Sequence, residues 1–229
     1  MTTIDESCTS ARDIFASHTM FRREFGLMPG LVRAVRAGDM QRATLVADHV
    51  ALVSNMLSMR NSAEKTHIWP RLRERCPKDC ASLADVMEAQ YHAVHTFLLQ
   101  VTEAAQAWQD SASADTRGAL ADAIEHLIPV TVEHLALKEQ RVVPLAEMCI
   151  AEAEYAVLAQ ELAAHVPPDK LAVVFGMIMY DSGHAVIVDN FIDEMPVEVR
   201  PAIKDLAVQA YGTYAAELYG TARPAHGWG

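Results

Sequence analysis

Along four long stretches of this chain apolar residues recur every three or four positions, and no hairpin signature competes with them, so the chain is restricted to packed helices. The first stretch runs from Ser10 to Ala37 through Ile14, Phe21, Phe25, Leu31, Val32 and Val35, with an interruption expected at Gly26 and Pro29-Gly30. Gly38-Asp39 reads as a turn whose Asp starts the second helix. That helix runs from Met40 toward Arg75 and is expected to end near Trp69-Pro70. The third runs from Ser82 to Trp108. A small, polar connection (Asp110 to Asp115) leads to the fourth, Thr116 to Glu147, which Pro129 should kink.

Four such helices joined by short connections predict an all-α fold: an antiparallel four-helix bundle over Thr9 to Met148. From Cys149 to Gly220 the helices become shorter: Ala151 to Val166, Asp169 to Asp181, Ala185 to Met195 and Val197 to Tyr219. They predict a helical extension packed on the bundle, followed by a loose tail from Thr221. With 51% hydrophobic residues among 229, a large core is within reach.

A net charge of −11 disfavours nucleic acid and anionic lipid. Arg22, Arg23, Arg33, Arg36 and Arg42 read as solvated helix faces rather than a basic patch. No window approaches a membrane span and the N-terminus has no leader pattern, so a soluble, cytoplasmic setting is expected. In that setting Cys8, Cys76, Cys80 and Cys149 are expected as free thiols.

The chemistry concentrates on the fourth helix, where His134 and Glu139 lie five residues apart. On an ideal helix they diverge by about 140°, so they reach one object only if it is wide or if the helix carries a local bulge. The other helices add polar groups. Helix one offers His18, helix two Glu64 and His67, helix three Tyr91, His92 and His95. A His or carboxylate from each helix is how bundles build iron and manganese sites. His67 and His92 rank below the others, and His49, His126, His165, His184 and His226 have no partner at ligand spacing.

The segments His18-Thr19-Met20-Phe21-Arg22-Arg23-Glu24-Phe25, Ala63-Glu64-Lys65-Thr66-His67-Ile68-Trp69-Pro70, Met87-Glu88-Ala89-Gln90 and Glu133-His134-Leu135-Ala136-Leu137-Lys138-Glu139 resemble, in order and spacing, the haemerythrin-like family of cation-binding bundles. That resemblance implies non-haem iron held by His18, Glu64, Tyr91, His95, His134 and Glu139, with redox chemistry linked to O2 or peroxide on a small molecule. Two positions depart from the family pattern: Arg60 and Tyr91 stand where histidines are expected. A guanidinium is always charged and has no lone pair for a metal.

Three arrangements remain open. Arg60 replaces one cation while a single metal remains; or no metal binds, and Arg60 and Tyr91 become the catalytic groups of an acid-base cluster; or the polar groups are residual packing. In either functional arrangement a buried Arg60 requires Glu64 or Glu139 as its partner.

Overall fold

The computed structural model describes residues 9–182, 192, 197 and 200–225. Among them the fold is all-helical. Four long helices come first: α1 (Thr9–Ala34), α2 (Met40–Arg75), α3 (Pro77–Ser111) and α4 (Ala114–Leu137). A π-helical segment (Lys138–Val142) carries α4 into α5 (Val143–Cys149). Next come α6 (Glu152–Ala164), a 3-10 turn (Pro168–Lys170), α7 (Leu171–Ser182) and α8 (Arg200–Tyr219). The expected helix Ala185 to Met195 lies almost wholly outside the described residues.

The chain turns where its capping residues dictate. Gly38 adopts a φ of +83°, which any side chain would strain, and Asp39 accepts a hydrogen bond from the Arg42 amide at 3.0 Å. Ser113 does the same for the Thr116 amide at 3.1 Å. The Gly38 amide also donates to the Ala112 carbonyl at 2.8 Å, tying the first turn to the third.

The helices run further than local propensity allows. α1 continues through Gly26 and Pro29-Gly30, and α2 passes Pro70 to reach Arg75. In α1 the stripe Phe21, Phe25, Met28 and Val32 is buried against its neighbours, and that burial outweighs the roughly 3 kcal/mol of an interior proline. α3 begins at Pro77, before the expected Ser82, because a proline in the first helical turn has no amide to leave unpaired. Around the core α1, α2, α3 and α4 touch in sequence, and α4 closes on α1.

The C-terminal helices share this core. α7 packs on α1 and α8, contributing Val174, Met177 and Ile178, while α8 adds Ala207, Tyr211 and Leu218. Gly176 makes the α7–α8 approach possible, since a Cβ there would fall on the Ala207 carbonyl and 2.7 Å from Tyr211 Cβ. The tail is less loose than expected: Pro224 is buried and its carbonyl accepts from the Tyr180 hydroxyl at 2.9 Å.

A buried ionic network holds the two parts together and overturns the solvated reading of Arg23. Arg23 and Glu24 are both fully buried, with Arg23 Nη2 2.7 Å from Glu24 Oε1 and Nη1 paired to Asp181. Tyr211 donates to Glu24 Oε1 at 2.9 Å, and Tyr219 and His49 converge on Oε2. A buried carboxylate requires such partners, and here α1, α2 and α8 supply them.

Cys76 and Cys149 form a disulfide, contrary to the free thiols expected of them. They are 73 residues apart in sequence, and only the meeting of the α2–α3 junction with the end of α5 brings them together. Cys80 remains a buried free thiol.

Candidate functional site

Glu64 is the centre of a polar cluster inside the four long helices. On α2 the run Arg60, Asn61, Glu64 is buried, an assignment no hydropathy pattern makes. Arg60 Nε lies 3.2 Å from Glu64 Oε1, one helical turn away. On the other oxygen, Oε2, Lys138 Nζ stands at 2.7 Å and the Tyr91 hydroxyl donates at 2.9 Å. Trp69 Nε1 donates to the Tyr91 oxygen at 3.1 Å, so the phenol is held from both sides. The Tyr91 ring meets the His134 ring edge-on at 5.1 Å between centroids.

A π segment follows the stretch of the fourth helix that enters this cluster. Its Val143 amide donates to the Lys138 carbonyl, five residues back instead of four. Pro144 follows directly, and with neither an amide to donate nor room for the carbonyl of Gln140 it favours this loosened turn. Lys138 lies one regular helical turn after His134, its amide donating to the His134 carbonyl, and so points inward beside it at 2% exposure, while Glu139 faces α1. There Glu139 accepts from His18 Nδ1 at 2.8 Å and from both terminal nitrogens of Arg22 at 2.8 Å. A bulge was one of two ways for His134 and Glu139 to share a target. The bulge exists, but the two residues turn to different partners.

Burial sets the protonation states. Burial alone would raise the Glu64 pKa, but the cations of Lys138 and Arg60 hold it at about 2, so it is ionised. Burial pushes Lys138 down to about 8, and Glu64 limits that fall. His134 is lowered to about 3 by burial and then by Lys138, and His18 is lowered well below its ordinary value for the same reasons. Tyr91 is raised by burial and by Glu64, so it stays a phenol. Near neutral pH the ionised Glu64 is therefore faced by the two cations that hold it so, Lys138 and Arg60.

Two imidazoles complete the site. Neutral His18 donates from Nδ1 to Glu139, and neutral His134 donates from Nε2 to Asn61 Oδ1 at 3.1 Å. This leaves lone pairs on His18 Nε2 and His134 Nδ1, and neither atom has a partner.

Of the residues expected at the site, His18, Arg60, Glu64, Tyr91, His134 and Glu139 lie in or directly against this cluster. His95 is the exception. The buried stripe of α3 runs Met87, Tyr91, Val94, Leu98 and Val101, and position 95 falls off it, so His95 is exposed. Sequence reasoning missed Lys138, Arg22, Asn61 and Trp69. Lys138 had a signal, since it lies four residues after His134, but a lysine on an amphipathic helix is ordinarily solvated. His67 pairs with Glu161 at the surface, and His49 serves the Glu24 network.

The donor set does not fit a di-iron centre. The carboxylate expected to bridge, Glu64, already carries two protein cations and a phenol proton, and Glu139 is engaged by Arg22 and His18. Among the described residues no three His, Cys, Asp or Glu side chains form a group that could hold a metal ion. No protein-family model, curated protein or solved structure matches the chain.

Proposed function

We propose that this chain is a divergent haemerythrin-like four-helix bundle in which fixed protein cations stand in place of a metal centre, and that it binds and transforms a small molecule by metal-independent acid-base chemistry. One observation carries the reading: Lys138 and Tyr91 converge on the same oxygen of Glu64, while Arg60 holds the other. Each of the two groups on Oε2 bears a transferable proton, and the carboxylate between them gives that proton a path. Trp69 fixes the phenol and the helical turn from His134 to Lys138 fixes the ammonium, so the geometry is set before any ligand arrives. Arg60 links the cluster to a surface cavity, as the buried charge on that cavity's lining.

The test is iron uptake. Protein incubated anaerobically with ferrous iron, desalted and analysed for metal should retain far less than one equivalent, with its melting temperature unmoved. Stoichiometric retention overturns the reading.

A second reading, one iron ion serving redox chemistry with O2 or peroxide, is favoured by the lone pairs on His18 Nε2 and His134 Nδ1. It requires Lys138 to leave Glu64. Its signature in the same experiment is a visible absorption band that Tyr91→Phe abolishes.

A further inference from the structure

We infer that the cavity between α1, α2 and the C-terminal helices is a binding site for an amphipathic monoanion, a medium-chain or aromatic carboxylate, with Arg60 pairing the carboxylate and the apolar walls taking the tail. This rests on the small-molecule reading above and names the class of molecule.

The cavity measures about 440 Å³, within the range of small-molecule sites. Its walls are largely apolar. Met20 and Phe21 come from α1, Leu52 and Met56 from α2, and Phe175 and Ile178 from α7. The charged and titratable groups on its boundary are Asp48, Arg60, His165 and Lys170. Asp48 and His165 are exposed and Lys170 half-exposed, so all three mark the mouth. Arg60, at 7% exposure, is the one buried charge among them.

That guanidinium is incompletely used. Its Nε lies 3.2 Å from Glu64 Oε1 without a hydrogen bond, and no hydrogen bond among the described residues uses its two terminal nitrogens. A guanidinium presents five donors in a planar fork that a carboxylate matches with two parallel bonds. The charge balance points the same way. Around Glu64 two cations, Arg60 and Lys138, face one carboxylate and leave one positive charge inside a chain whose total is −11, so a local anion is the matching counter-charge. A dianion would overshoot it, and a neutral ligand would leave the fork unmet. Apart from Ser17, Asn55 and Ser58 the uncharged lining is apolar, which favours a hydrocarbon or aromatic tail.

Isothermal titration with octanoate, octan-1-ol and octylamine tests this on the full chain. Octanoate should bind at least ten-fold more tightly than octan-1-ol, and octylamine should not bind. Arg60→Met should bring octanoate down to the level of octan-1-ol, and Arg60→Lys should recover part of the difference. Met56→Trp fills the cavity without touching the charge cluster, and it should weaken octanoate and octan-1-ol alike by ten-fold or more. Equal affinities of the wild type for octanoate and octan-1-ol, or no octanoate binding at millimolar concentration, overturn the inference. The readout is binding alone, so it is decided separately from iron uptake. Octanoate selectivity with stoichiometric iron retention would sink the metal-independent reading and keep this site; the reverse pattern would do the opposite.

Discussion

Lys138 Nζ lies 2.7 Å from Glu64 Oε2, an ion pair between α2 and the π segment with both side chains more than nine-tenths buried. Neither residue is tolerable there alone, because an unpaired charge in the interior costs several kcal/mol. Lys138→Met should therefore destabilise the protein by about 3 kcal/mol in urea unfolding, and Glu64→Gln by a comparable amount. The double variant should lose much less than the two losses combined. Strict additivity would mean that the two charges do not depend on each other.

Tyr91→Phe keeps the ring against His134 but removes a hydroxyl that donates to Glu64 and accepts from Trp69. Trp69 Nε1 is then left buried without its partner. A loss of about 2 kcal/mol is expected. Tryptophan emission should change with it, since the indole environment loses its polar contact. A variant as stable as the parent would show that the hydroxyl contributes no net energy.

Acid should unfold this protein through two carboxylates. Burial would raise Glu24, but the hydrogen bond and charge of His49, then Arg23 and Tyr219, bring it to about 2, and Glu64 is held at about 2 by Lys138 and Arg60. Both folded values lie below the ordinary 4.5, so the unfolded chain binds more protons between those limits. The stability from these groups is complete above pH 4.5 and falls as the pH drops toward 2. Urea midpoints measured across that window should fall steeply in the wild type and less steeply in Glu24→Gln. Equal slopes would remove Glu24 from the account.

The Cys76–Cys149 bridge spans 73 residues, and closing a loop of that length in the unfolded chain contributes about 4 kcal/mol. Dithiothreitol should lower the melting temperature of the wild type and leave Cys76→Ala unaffected. A cytosolic glutathione poise would keep such a pair reduced, so the thiol state of protein isolated under acid quench also reports the compartment in which it works. Identical melting curves with and without reductant would mean that the pair is not oxidised in solution.

Much of the scaffold is legible in the sequence, because helix period, caps and turns are properties of neighbouring residues. The four long helices, the Gly38-Asp39 turn and the polar positions His18, Glu64, Tyr91 and His134 follow from spacing and from the resemblance those segments carry. What only the tertiary structure decides depends on how helices meet. α1 and α2 run through their prolines because burial of a long stripe outweighs a local break. His95 falls off the buried stripe of α3, although it lies one turn from Tyr91. Arg23 looks like the exposed Arg33 and Arg36 until α7 and α8 close over it and present Asp181 and Tyr211. Cys76 and Cys149 are strangers in sequence. Lys138 turns inward because it shares a helix face with His134, one regular turn earlier, and Glu64 of α2 meets it there. That meeting between two helices is invisible to a reading of either one, and it puts a protein cation on the carboxylate where the resemblance implied a metal.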